Sequence, residues 1–221
     1  AQAHADLLLE WNDKGLRALE DQNPELAITA FETALELEPD SATLLSNLAS
    51  AYVALAVVMQ ERGDLEEAKQ ILQSAIEKSP ASAGPYYWLA HLHLRNGDRA
   101  RAKEVLESGL AAGVEHAAVL RQRADIAAVE GDLDASVAFM DRALALQPTD
   151  SKLLDRAAQL RAEREMFRTF LTDATAHFDS RYDPQDQVIV DSLAELNRDL
   201  EDAWQEVVGV LGVQPQDRLL V

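Results

Sequence analysis

The sequence of 221 residues contains no cysteine, which excludes disulfide bonds, cysteine-ligated zinc and thiol nucleophiles. Aromatic residues are also scarce, at 5%, whereas apolar residues reach 48% and charged residues 27%. The last two proportions are typical of a folded globular chain. Few aromatic residues together with abundant Ala and Leu favour helices over strands.

Basic residues are few as well: 20 Lys and Arg stand against 39 Asp and Glu, for a net charge of −19. Such an acidic chain is poorly suited to nucleic acid or to an anionic membrane surface, where contacts with phosphate dominate affinity. The longest nearly apolar run, over 48–59, is shorter than the roughly 20 residues that span a bilayer. We therefore predict no nucleic-acid partner and no membrane insertion, and we favour a cytoplasmic location.

A glycine recurs every 34 residues, at positions 63, 97 and 131, and each is followed directly by Asp. The fifth position after each glycine holds a small residue. A fourth copy, without the glycine, begins at Gln22, and three of the four copies end at a proline. Because the intervening apolar residues follow helical spacing and proline cannot continue a helix, the pattern predicts an array of helical hairpins.

The repeat resembles the tetratricopeptide-repeat (TPR) family, whose 34-residue helix–turn–helix unit carries large, small and proline residues at set positions. The residues that carry the resemblance are Trp11, Gly15, Ala27, Phe31, Ala34 and Pro39, then Leu45, Leu48, Ala49, Tyr52, Ala68, Leu72, Ala75 and Pro80, then Tyr86, Leu89, Ala90, Ala102, Leu106 and Gly109, and finally Leu120, Ala124, Ala127, Ser136, Met140, Ala143 and Pro148. The resemblance implies an all-α, right-handed α-solenoid over 1–149, with units at about 8–41, 42–82, 83–116 and 117–149.

The second unit is longer than the others, because Pro39 and Pro80 lie 41 residues apart. The seven additional residues are close to two helical turns, which predicts a lengthened helix that protrudes at one edge of the array around 56–62. After the array we predict a capping helix over 150–171, a linker over 172–185, and a C-terminal amphipathic helix and tail over 186–221 with Trp204 on its apolar stripe.

Motifs of catalysis are lacking: the sequence has no glycine-rich phosphate loop, no G-x-S-x-G and no H-E-x-x-H. His91 and His93 are two residues apart on a predicted helix, so their side chains point about 200° apart and do not share a metal ion. We therefore predict that the protein is not an enzyme and that it uses no cofactor and no metal.

The resemblance implies that the first helix of each unit lines a concave groove. The candidate peptide-binding residues on these helices are Asn12, Asn47, Tyr87, Trp88, His91, Arg95, Arg121 and Asp125. The segment 91–123 carries six basic and four acidic residues, so it favours an acidic or amphipathic peptide. The alternative interpretation is that the aromatic residues pack between helices and that the arginines pair with nearby acids.

Some members of the family hold a C-terminal carboxylate of chaperones with a Lys-Asn-Asn-Lys-Arg set. Of those five positions only Asn47 keeps its residue type here, since the others hold Asn12, Leu16, Gly84 and Trp88. This departure argues against a chaperone adaptor of that kind.

The predicted function is a non-enzymatic adaptor or scaffold that binds a peptide or a helix in the groove. One alternative is a self-assembling structural protein, in which the long helix over 41–62 or the Trp204 helix over 186–211 joins copies. Another is an accessory domain excised from a larger enzyme, because the sequence begins Ala-Gln-Ala without Met. A further hypothesis is that the acidic C-terminal helix fills the groove of its own array.

Overall fold

The computed structural model describes residues 2–168, 171–211 and 219–220. Within these ranges the helices are α1 (Gln2–Glu20), α2 (Pro24–Leu37), α3 (Ala42–Arg62), α4 (Leu65–Lys78), α5 (Ala83–Arg95), α6 (Arg99–Ala111), α7 (Ala117–Val129), α8 (Leu133–Leu146), α9 (Ser151–Phe167) and α10 (Gln187–Leu211). The strands in the same ranges are β1 (Leu171–Ala174), β2 (Phe178–Tyr182) and β3 (Leu219–Leu220). The structure confirms the predicted all-α, TPR-like solenoid.

The first eight helices form successive antiparallel pairs, each joined by a short turn, and α9 packs against α8. The recurring glycines lie in these turns in the left-handed region, with φ of 92° at Gly63 and 77° at both Gly97 and Gly131. A residue with a Cβ is strained there, which is why glycine recurs. At two of these three turns the next residue caps the second helix: the carboxylates of Asp98 and Asp132 accept hydrogen bonds from the backbone N–H groups of Arg101 and Ala135, at 3.1 and 2.9 Å. The Asp64 side chain makes no such bond.

The core repeats with the same period as the turns. Four equivalent large side chains are fully buried, namely Phe31, Leu72, Leu106 and Met140. They stand 41, 34 and 34 residues apart, and the first interval contains the seven-residue insertion. Small residues let the two helices of a pair approach closely, and a Cβ built on Gly15 would lie 2.5 Å from the Phe31 ring.

The insertion lengthens α3 to 21 residues, whereas α5 and α7 each have 13. The predicted protrusion around 56–62 is corrected by the structure. Ala56 is buried, and Met59 packs on the same cluster as Leu72. The two added turns are therefore covered by α4. Their effect appears at the start of α5, which is shifted along α3.

α3 is also the one helix in the described residues whose length and mean hydropathy, 1.8, would suffice to cross a membrane. The longest nearly apolar run of the sequence did not predict a helix of this length and hydropathy, because isolated polar residues divide α3 into shorter runs. Length and hydropathy alone are weak support for a membrane span, since core helices meet the same two criteria and α3 packs against α2, α4 and α5.

The C-terminal part forms a separate layer of sheet and helix. β1 pairs antiparallel with β2, β3 pairs parallel with β2, and α10 packs on β2. The predicted linker over 172–185 is therefore wrong for most of its length. The predicted capping helix over 150–171 ends earlier, at Phe167. Residues 169–170 of that prediction, and residues 212–218 and 221 of the predicted tail, lie outside the described residues.

Candidate peptide-binding groove

Three of the candidate residues form one aromatic group on α5. Tyr87 and His91 are one helical turn apart and stack, with ring centroids 6.3 Å apart and planes at 9°. Trp88 meets His91 edge-on at 5.6 Å. Both larger rings also pack on the core, Tyr87 beside the cluster that contains Tyr86 and Trp88 beside the cluster around Leu72. These side chains are half-buried, so they hold the helices together and still present ring surface to the groove.

His91 and Arg95 lie one turn apart toward the end of α5. Partial burial, and next the positive charge of Arg95, lower the pKa of His91 below its ordinary value of 6.5. The imidazole is therefore neutral at pH 7, and the positive charge at this end of α5 belongs to Arg95. Within the described part of the chain, Arg95 is exposed and has no ion-pair partner. It is therefore available to an acidic ligand.

The predicted positive segment is largely neutralised by acids within it and just after it, at Asp125 and Glu130. The basic residues that form ion pairs are Arg101 with Asp98 at 3.3 Å, Lys103 with Glu130 at 2.9 Å, Arg121 with Asp125 at 3.5 Å, and Arg123 with Glu107 at 2.8 Å. Arg123 is buried and serves the packing of α7. Arg95 and Arg99 are the two basic residues of the segment that have no ion pair in the described ranges.

Asp125 connects two arginines from different helices. Its two carboxylate oxygens accept from Arg121 on the same helix and from Arg156 on α9, the second at 2.9 Å from Nε. Arg156 was not among the candidate residues. α9 occupies the position that the first helix of a fifth repeat unit would take. Continuing the 34-residue period into α9 would therefore have placed the Arg156 side chain beside α7.

Asn12 and Asn47 form a separate contact between α1 and α3. The Asn47 side-chain amide donates a hydrogen bond to the side-chain oxygen of Asn12, with 2.9 Å between the heavy atoms. No contact in the described residues joins this pair to the aromatic group on α5. The eight candidate residues therefore fall into three sets along the array: the Asn12–Asn47 pair, the four residues of α5, and Arg121 with Asp125 on α7.

An open cavity of about 840 Å³, which sequence reasoning missed, lies between the N-terminal half of α3, the segment 79–84 that leads into α5, and the loop 113–116. The residues of α3 that line this α3 cavity occupy one helical stripe, namely Ala42, Leu45, Ser46, Ala49, Ser50 and Val53. The insertion explains the opening. A Cβ built on Gly84, the second residue of α5, would lie 3.4 Å from Val53, the twelfth residue of α3. Because α5 begins beside the middle of α3, the first turns of α3 face open space.

The α3 cavity continues onto the exposed face of α5. Gly84 lines the cavity, and Tyr87, His91 and Arg95 follow it at steps of three, four and four residues. Residues at these steps share one face of a helix. At 1.5 Å per residue, roughly 16 Å separates the cavity from Arg95 along α5. The cavity, the two rings and the arginine therefore form one continuous surface.

The Trp204 helix does not occupy this surface. Trp204 is 6% exposed, stacks on His177 with centroids 4.8 Å apart, and meets Phe178 edge-on at 5.8 Å. Because α10 packs on β2, the hypothesis that it fills the groove is wrong, and Trp204 itself is not available to another copy. In the described ranges no three His, Asp or Glu side chains are grouped so that they could hold a metal ion.

Two tetratricopeptide-repeat family models match the chain, over residues 12–83 and 59–126. Together they cover slightly more than half of the sequence. A search of curated proteins found no significant match.

Similar solved structures include a thermophilic TPR protein of Thermus thermophilus, with 22% identity, 70% of this chain and 99% of that chain covered, and a TM-score of 0.41. The pilF protein of Pseudomonas aeruginosa has 21% identity, covers 74% and 88%, and has a TM-score of 0.47. The first TPR domain of Spaghetti (RPAP3), solved with an HSP90 peptide, has 14% identity, covers 54% and 95%, and has a TM-score of 0.47.

Proposed function

We propose that this chain, because it belongs to the tetratricopeptide-repeat family, is a non-enzymatic adaptor that binds a segment of another protein in its concave groove. Repeats of this family are generally protein-interaction modules. The proposal includes a cytoplasmic location, which fractionation of the source cells tests.

The continuous surface from the α3 cavity to Arg95 is the observation that carries the proposal. Small and apolar side chains line most of the cavity, with Glu115 and His116 at one side, which suits a bulky apolar side chain of the ligand. Arg95 is exposed and unpaired among the described residues, which suits a carboxylate. Tyr87 and His91 lie between them and offer ring faces for packing. The ligand class is thus a peptide with an apolar anchor and an acidic residue.

The distance between the two ends sets the spacing in the ligand. An extended peptide rises about 3.3 Å per residue, so roughly five residues would separate the apolar anchor from the acid. A helical ligand rises 1.5 Å per residue, so about eleven residues would separate them. The spacing in peptides that bind therefore distinguishes the two binding modes.

Selection from a random-peptide display library against the intact chain tests the proposal. We expect enriched peptides to share a bulky apolar residue followed by an acid at one of these two spacings. Fluorescence anisotropy with the enriched peptides then compares two groove variants, Ser50→Trp in the α3 cavity and Arg95→Glu, with two matched controls on second helices, Ser108→Trp and Arg99→Glu. All four sites are exposed.

The groove variants should weaken binding at least about tenfold, a loss that corresponds to one interfacial anchor, whereas the controls should change it less than about twofold. Equal affinity for all four variants would refute the groove as the binding surface. A chain whose mass grows with concentration, and which selects no peptide, would favour the self-assembling alternative instead.

A further inference from the structure

α10 has one face that is occupied by its own sheet. Asn197 is buried, accepts a hydrogen bond from the Ser180 hydroxyl at 2.7 Å, and donates one to Asp173 at 2.6 Å. One turn further on, Glu201 accepts from the backbone N–H of His177 at 2.8 Å. Together with Trp204 these contacts fix the orientation of α10 on the hairpin. The rest of the helix surface is consequently set in a defined direction, away from the sheet.

A second apolar stripe runs beside this face, and five of its seven residues are exposed within the described part of the chain. Its residues, here called the α10 seam, are Ile189, Leu193, Leu196, Leu200, Ala203, Val207 and Val210. The steps between them alternate strictly between four and three residues, which is the heptad spacing of a coiled coil. None of the seven is buried, and four large ones are well exposed: Ile189 by 40%, Leu196 by 42%, Val207 by 52% and Val210 by 81%.

The α10 seam is long enough for a coiled coil. Its 22 residues make three heptads, about 32 Å of helix. The face of α10 that packs on the sheet holds Trp204 together with the half-buried Val190 and Val208, and the exposed residues of the seam lie outside that face. The packing of the C-terminal part therefore does not explain why the α10 seam is apolar, whereas a second helix laid along the seam would.

The charges around the α10 seam define the partner. α10 carries six acidic residues and one basic residue, Arg198. Asp199 and Glu206 lie at the positions that flank the seam on the side away from the sheet, where coiled coils place interhelical ion pairs. A second copy of α10 would bring acids against acids, and an anionic membrane would repel the same charges. A helix with Lys or Arg beside its apolar stripe complements them.

We propose that the α10 seam is a docking site for a basic amphipathic helix of another protein. Apolar residues of that helix would pack between the seam side chains, and its basic residues would pair with Asp199 and Glu206. This site is independent of the groove, because it uses α10 and none of the groove residues. The chain would then join two partners, one at each surface.

Binding of two synthetic 28-residue helical peptides to the full chain tests the proposal. Both peptides have Leu at the two apolar heptad positions, and they differ only in carrying Lys or Glu at the flanking positions. We expect the Lys peptide to bind with one-to-one stoichiometry in isothermal titration calorimetry and the Glu peptide to bind at least about tenfold more weakly. Raising the salt concentration should weaken the first interaction.

A seam variant separates docking from simple charge attraction. The double variant Leu196→Asp/Val207→Asp should weaken binding of the Lys peptide at least about tenfold. The matched control, Leu146→Asp/Leu154→Asp, adds the same charge at two residues that lie outside α10 and are each 47% exposed. It should bind the Lys peptide with the affinity of the original chain. All four residues are exposed, so the variants should keep their fold, which circular dichroism checks.

Reversing the flanking charges gives a second, independent variant. Asp199→Lys/Glu206→Lys should shift the preference toward the Glu peptide by roughly tenfold, because two attractive pairs become repulsive.

Three results would overturn the proposal: equal binding of the Lys peptide to the seam variant and its control; a dimer in sedimentation that the seam variant abolishes; or flotation with neutral phosphatidylcholine vesicles that it abolishes. The second would assign the seam to another copy of the chain, and the third to a lipid surface.

Discussion

Replacing Gly15 by Ala tests how closely the paired helices approach. A Cβ at this position would lie 2.5, 2.6 and 2.7 Å from three atoms of the Phe31 ring, about 1 Å closer than an ordinary contact. The ring is fully buried and cannot move into solvent. Overpacking of this kind costs about 1–3 kcal/mol, whereas Ala in place of Gly within a helix gains about 1 kcal/mol. We expect a net loss of up to about 2 kcal/mol in the free energy of unfolding.

Gly84→Ala is the matched control, since its Cβ would meet Val53 at an ordinary 3.4 Å. We expect this variant to unfold at the same urea concentration as the original chain or at a slightly higher one. Urea denaturation followed by circular dichroism compares the two variants. In the double variant Gly15→Ala/Phe31→Leu, the smaller side chain should recover part of the loss. Equal stability of Gly15→Ala and Gly84→Ala would refute the close approach.

Three further substitutions probe other contacts. Tyr52→Phe removes the hydroxyl that donates to Glu32 at 3.0 Å, so it should lower stability by about 0.5–1.5 kcal/mol in urea, whereas Tyr87→Phe should not. Trp204→Ala should destabilise the C-terminal layer by about 3–5 kcal/mol, because it removes a large buried side chain. Amide hydrogen exchange should become faster in β2 and α10, whereas faster exchange in α5 would contradict a local effect. Hydrogen bonds from His177 and then Thr175 lower the pKa of Glu201 from its ordinary 4.5 to about 2. Because the pKa is lower in the folded state, this stabilisation is complete above pH 4.5 and is lost as the pH falls toward 2. In Glu201→Gln, near-ultraviolet dichroism of Trp204 should therefore depend less on pH over that range, and an unchanged dependence would exclude the contact.

The array could be predicted from the sequence because its signals are local and repeated. A glycine at three of the four turns, an Asp or Asn at the start of each second helix and one large buried residue per unit follow from backbone geometry and from the packing of neighbouring helices. Arg121 and Asp125 were also predicted to lie on a first helix, but their connection to Arg156 depends on α9 continuing the array. The period alone did not establish that continuation, since the sequence after α9 shows no matching second helix of the repeat.

The C-terminal layer could not be predicted in the same way. β1 and β2 have only four and five residues, and their sequences mix Thr, Asp, Ser and Arg with few apolar positions. Their stability comes from side chains distant in sequence, such as Asn197, which bonds to both strands across 17 and 24 residues. The α3 cavity escaped prediction for a related reason. The insertion lies in α3, whereas its effect depends on where α5 begins.

The seven-residue insertion acts as an offset that preserves helical phase. Seven residues turn a helix by about 700°, only about 20° short of two full turns, so the side chains of α3 keep their directions while later hairpins are displaced by about 10 Å along the axis. The start of α5 is consequently set beside the middle of α3, and the α3 cavity bridges this step to the groove face of α5. An extended ligand that crosses the step would use about three residues to do so.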